Sequence, residues 1–214
     1  MDQPAGDAFD RLFEAAAALR ETLNLFTDRE LDDEIVAEVT EVARKLSARL
    51  DEAPPWDRQA GLVAGMNAPD TEEGRRTGFP YRAIAGAANP AALPMELSFS
   101  EEAVETEIIL SHMHGGAPGR GHGGVLAGIF DDFAGAALNL LDTMGATARL
   151  TVHYRSPIPI DEPMQLRAWV HKQDGRKVVV RGDARRDGTV VADVEALFVI
   201  IDYAAIDTSG AARH

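Results

Sequence analysis

The residues with the clearest chemical possibilities lie in one stretch, His122-Gly123-Gly124-Val125-Leu126-Ala127-Gly128-Ile129-Phe130-Asp131-Asp132-Phe133-Ala134-Gly135-Ala136-Ala137-Leu138. Its apolar side chains fall on every side of a helix, which predicts burial all round. Gly128 and Gly135 each cost such a helix about 1 kcal/mol relative to Ala, so something must approach it closely. Asp131 has Ala127, Gly128, Ala134 and Gly135 as its neighbours at three and four residues, which makes a narrow groove floored by small side chains. An unpaired ionised carboxylate is expensive to bury. One reading makes Asp131 or Asp132 a structural acceptor of backbone or arginine hydrogen bonds. The other makes it a working acid, and two adjacent carboxylates on so apolar a helix favour that, since perturbed acids cluster at sites.

His122-Gly123-Gly124 precedes or opens the helix, where free N–H groups and the dipole favour negative charge. Glycines there let a carbonyl oxygen come close, the geometry an oxyanion hole needs, although a glycine pair at a helix start is also ordinary turn chemistry. Asp131 follows His122 by nine residues, roughly 13 Å of helical rise and about half a turn out of phase. The two cannot act on one carbonyl within one chain. A site that uses both must be shared between subunits, which predicts a dimer.

Around this helix the patterning is α+β. Residues 7–24 and about 28–50 read as amphipathic helices, the second with the stripe Leu31, Ile35, Val39, Val42, Leu46, Leu50 and a cap at Thr27/Asp28. They form an N-terminal helical arm over 1–52. The Pro- and Gly-marked stretch 53–94 is expected to be an irregular covering segment. Strands are expected over 95–100, 104–111, 147–156, 163–173, 176–186 and 190–201, with Asp174-Gly175 and Asp187-Gly188 as hairpin turns. Six antiparallel strands wrapped around one helix, within 95–204, is the expected domain.

Composition narrows the functions. The chain has 214 residues, a net charge of −14 and no cysteine. The acidity argues against a nucleic-acid partner, and the absence of cysteine removes disulfides, thiolate nucleophiles and cysteine-ligated zinc. No secretory signal pattern or membrane-spanning run is evident, and a cytoplasmic location is the expectation. Charge is uneven: residues 1–52 carry a net −8, whereas 145–187 carry nine basic against five acidic side chains. That basic segment is either a solvated strand face or a seat for a phosphorylated ligand such as a nucleotide or CoA, with Arg149, Arg155, Lys172 and Arg176 as candidates.

These motifs resemble the hotdog-fold acyl-CoA thioesterases, in the branch that includes phenylacetate-pathway enzymes and thioesterase-superfamily members. The likeness rests on His122-Gly123-Gly124, six residues, then Asp131, on Thr147 sixteen residues later, and on Tyr154-Arg155-Ser156-Pro157. It covers roughly residues 75–202. The resemblance implies a hotdog fold assembled as a homodimer or dimer of dimers, acting on acyl-CoA without a cofactor or metal. It makes Asp131 the nucleophile or general base, the N–H of Gly123 with that of Gly124 the polarising donors from the neighbouring subunit, Thr147 the residue that positions water, and His122 the residue that shapes the turn. Some members carry Asn six residues before the histidine, where this chain has Gly116.

Three other readings compete. His112, His114 and His122 raise a metal site, His112 and His114 sharing a strand face, but no nearby carboxylate or cysteine in the sequence completes a ligand set. A hotdog hydratase resembles the pattern less, because Ala136 and Ala137 stand where that group has a histidine five positions after its aspartate. A non-catalytic acyl-CoA-binding or regulatory module is the alternative from another class.

Overall fold

Alternating side chains build the sheet. In β2 (Val104–Ile109) Val104, Thr106 and Ile108 point inward while Glu105, Glu107 and Ile109 point out, and the same two-residue period runs through β4 (Pro163–Asp174), β5 (Lys177–Arg186) and β6 (Thr189–Ile200). With β1 (Ser98–Phe99) and β3 (Gly145–Tyr154) they form one six-stranded antiparallel sheet in the order β1-β2-β4-β5-β6-β3. This arrangement comes from a computed structural model, which describes residues 5–57 and 79–201.

The long helix α3 (Gly123–Ala136), extended by a 3₁₀ stretch at Ala137–Leu141, carries the chain from β2 to β3, at the opposite edge. Its Leu126, Ile129, Phe130, Phe133 and Ala134 are buried against Met164, Leu166, Val178, Val180, Val194 and Phe198 of the sheet. Burying each large side chain is worth roughly 1.5–3 kcal/mol. Gly123–Leu141 is long and apolar enough to cross a membrane by length and composition alone; here the sheet wraps it. The fold is the hotdog arrangement of a sheet around a central helix, preceded by helices.

Those helices are α1 (Ala5–Asp28) and α2 (Asp33–Asp51). The boundary differs from the expected Thr27/Asp28 cap. Thr27 turns its hydroxyl back to the carbonyls of Leu23 and Asn24 within α1, while Asp32 caps α2 by accepting the Ile35 N–H at 2.9 Å. α1 docks on the domain: Arg20 donates to the carbonyls of Ala92 and Asn89 at 2.8 and 2.9 Å, and Ser111 Oγ donates to Asn24 at 2.6 Å. α2 buries nothing.

Three further expectations change. β1 shrinks to two residues, because Thr106 Oγ1 takes the Glu96 carbonyl at 2.7 Å and holds that segment by a side chain. The first hairpin turns on Gly175-Arg176, with φ positive only at Gly175, while Asp187-Gly188 has φ positive at both residues, as a type I′ turn requires. His112 and His114 do not share a strand face, since β2 ends at Ile109 and His112–His114 form a 3₁₀ turn. There His112 Nδ1 lies 3.0 Å from Asp28 and 3.2 Å from Asp161, carboxylates distant in sequence, and His114 is buried.

Candidate active site

Each glycine at the start of α3 has a neighbour that requires it. A Cβ at Gly123 would stand 3.2 Å from Tyr154 Cζ, and one at Gly124 would stand 3.0 Å from His122 Cε1. Tyr154 Oη donates to the Gly123 carbonyl at 2.6 Å. His122 is the N-cap, with Nδ1 accepting the Gly124 N–H at 3.0 Å, and its own N–H bonds to the His114 carbonyl at 2.9 Å. The Gly124 donor is therefore occupied within its own chain, whereas Gly123 N–H has no acceptor among the described residues. Gly116 is a packing requirement: a Cβ there would lie 2.9 Å from His122 Cα, so this turn has no room for the Asn of some similar proteins.

The adjacent carboxylates of α3 have different surroundings. Asp132 lies 3.1 Å from Arg82; burial pushes its pKa up, with Arg82 and the nearby Ala85 N–H opposing the rise and Asp131 adding to it. It ties the stretch around Arg82 to the helix, and Ile84 lies on Gly128, whose missing Cβ would stand 3.0 Å from Ile84 Cδ1; residues 58–78 of the expected covering segment lie outside the described residues. Asp132 thus fits the structural reading of a buried acid. Asp131 has no such tie. Its Oδ1 is sealed from solvent without a hydrogen-bond partner among the described residues, as is Oδ2 of Asp132.

Thr147 pairs with Phe198 across the sheet, which puts its side chain on the helix side. Phe198 reaches to 3.8 Å from the Cβ position of Gly135, one turn beyond Asp131. Thr147 is exposed because β3 is an edge strand. A bulge between Thr147 and Arg149 reverses the face, so Arg149 pairs with Leu197 on the outer side of the sheet. Arg149 lies 3.5 Å from Glu195 and Arg155 lies 2.5 Å from Asp193, while Arg176 donates to the Ile200 carbonyl at 3.1 Å. Lys172, paired with outward-facing Val179, has no ion-pair partner among the described residues. The sheet stands between Arg149 and Lys172 and the Asp131 of the same chain.

Tyr154 enters the sequence reading only as part of a motif, and its hold on Gly123 needs the strand order to be known. Arg82 and Ile84 lie in an irregular stretch that carries no periodic signal.

The sequence model of the thioesterase superfamily matches residues 119–192, from the turn before His122 to the middle of β6. Over that segment the hotdog domain is similar to the thioesterase superfamily. Acyl-coenzyme A thioesterase THEM4 of Xenopus laevis is 36% identical over 86 residues, 39% of this chain and 39% of that protein. The chain thus spans about two fifths of the curated relative it matches. A crystal structure of another thioesterase superfamily protein is 29% identical with a TM-score of 0.73, covering 88% of this chain and 90% of that one. That structural likeness extends well beyond the segment matched by the sequence model. Thioesterase superfamily member 2 from Mus musculus superposes with a TM-score of 0.46 at 23% identity, over 49% of this chain and 80% of that one.

Proposed function

We propose that this protein hydrolyses acyl-CoA thioesters to the free acid and CoA, with Asp131 as the working carboxylate. The observation that carries the reading is the sealed Oδ1 of Asp131, which has no partner among the described residues and lies on a helix whose other acid pairs through one oxygen with Arg82. A buried acceptor left open is costly unless a substrate or a water completes it. As general base, Asp131 takes a proton from water as the oxygen adds to the thioester carbonyl, and collapse of the adduct breaks the C–S bond and releases the thiolate. As nucleophile, it forms an acyl anhydride that water then opens.

The adduct's oxyanion is met by the Gly123 N–H of a second copy, since roughly 13 Å of helix separates the two elements within one chain. A homodimer follows by pairing of β3, the free ten-residue edge, with its symmetry mate. Thr147, on the helix side of that edge, positions the water. His122 holds the turn through Gly124, which puts Gly124 in a supporting role. The CoA phosphates are met by basic side chains of the sheet, with Lys172 the free candidate. The acyl-CoA substrate class is supported by the activity in the name of the Xenopus laevis relative.

The test is Asp131→Asn, which keeps the shape and removes the base. Thiol release from acyl-CoAs of differing length and aromaticity should fall by about 10²–10⁴-fold, the scale of a lost general base, with circular dichroism unchanged. Undiminished turnover would reject Asp131. Tight acyl-CoA binding by the native protein without thiol release would instead identify a regulatory module.

A further inference from the structure

α2 is an amphipathic helix with its apolar side uncovered. Ile35, Val42, Leu46 and Leu50 are 42%, 57%, 42% and 62% exposed, and none of its residues is buried. Ile35, Val39, Val42 and Leu46 follow the 4-3-4 spacing of a helix-pairing seam, and Leu50 continues the stripe one turn further on. Exposed apolar residues so aligned mark an interaction surface.

The charges beside the seam select its occupant. At about 100° per residue, Glu34, Glu38, Lys45 and Arg49 fall on one flank of the stripe, and Val36, Thr40, Ala43 and Ser47 on the other. Glu34 and Arg49 lie equally far from a point between Glu41 and Val42, and so do Glu38 and Lys45. An antiparallel copy of α2 related by a two-fold axis at that point meets each Glu34 with an Arg49 and each Glu38 with a Lys45, four complementary pairs; within one chain Lys45 lies against Glu41 and Arg49 against Glu52, exposed pairs that the new contacts would share or replace. It also opposes the helix dipoles. The other flank, small and uncharged, lets the backbones approach. A parallel copy gains none of these pairs.

We propose that α2 is a self-association surface, pairing antiparallel with α2 of a second copy of this chain. Isolated helices of this length are marginal, so the pairing depends on the hotdog domains each carries into the assembly.

The cysteine-free sequence makes the test direct. In the full-length protein, Val42→Cys puts a thiol on the seam beside the proposed axis and Ala48→Cys puts one on the opposite side. Under mild oxidation Val42→Cys should form a covalent dimer and Ala48→Cys should stay monomeric on a non-reducing gel. Adding Glu38→Lys to Val42→Cys should cut the dimer yield about tenfold, the combined scale of two surface pairs changed from attractive to repulsive. Lys45→Glu, which also loses its own-helix pair with Glu41, should lower the yield at least as much, and mixing the two charge variants should restore cross-linking between them, which a helix defect would not allow. Within its own helix Glu38→Lys gains Glu34 one turn away, so a lower yield is not a helix defect. Equal cross-linking by Val42→Cys and Ala48→Cys, none by Val42→Cys, or indifference to the charge changes would overturn the proposal.

Discussion

Tyr154→Phe separates the positioning of Gly123 from the stability of the fold. The substitution removes one hydroxyl and leaves the ring, which packs 3.2 Å from the Cβ position of Gly123. What is lost is the 2.6 Å bond from Oη to the Gly123 carbonyl. Net stabilisation by such a bond is about 0.5–1.5 kcal/mol, and Tyr154 is 48% exposed, so the lower half of that range applies. For a chain of this size 1 kcal/mol is about 2–4 °C in Tm, so the variant should melt about 1–4 °C lower. Turnover should suffer more. If the Gly123 N–H meets the oxyanion, loosening the next peptide along, whose carbonyl Tyr154 holds, lets Gly123 turn and misaligns a donor whose value depends on placement, and kcat should fall about tenfold, about 1.4 kcal/mol of barrier, with a smaller change in KM. Thiol release under saturating acyl-CoA and a thermal melt on the same sample give both quantities. A lower Tm with unchanged kcat would show that Tyr154 only braces the helix start, and would remove the support for Gly123 as donor.

Asp132→Asn tests the raised acid. A folded-state pKa above the unfolded value means that Asp132 favours the fold most when protonated, below about pH 4, and that this contribution is lost as pH rises through the folded value. The native protein's stability relative to Asp132→Asn should therefore be greatest at low pH and shrink towards neutrality in urea titrations at matched pH; the opposite trend would mean that Arg82 outweighs burial. Gly116→Asn, which restores the side chain found in some similar proteins, should lower Tm and thiol release together, because its Cβ meets His122 Cα at 2.9 Å. A stable, fully active variant would show that the turn is free to open.

How much of this the sequence disclosed depended on whether the signal was local. The helix around Phe130 and Phe133 and the alternation of Val178 and Val180 are periodic, so burial could be read from spacing alone. Asp187-Gly188 was legible because a type I′ turn demands residues that tolerate positive φ. The cap of α2 was not, because Thr27 and Asp32 both have the right chemistry and only the path of α1 decides between them. The bulge after Thr147 left no local mark, yet it puts Thr147 and Arg149 on opposite faces where strict alternation would put them together. Which acid is tied and which is open was equally hidden, since Arg82 stands fifty residues before Asp132 in a stretch without pattern.

The two acids also explain why the fold tolerates them side by side. A single buried carboxylate would leave the helix choosing between a structural tie and an open acceptor. With two, Asp132 takes the arginine and holds the stretch around Arg82, and Ile84 of that stretch lies over Gly128 one turn back. Asp131 Oδ1 stays without a partner among the described residues. On this reasoning Arg82 and Ile84 border the proposed site without reacting in it. The Asp132–Arg82 tie is made within one chain, whereas the proposed role of the Gly123 N–H needs a second copy.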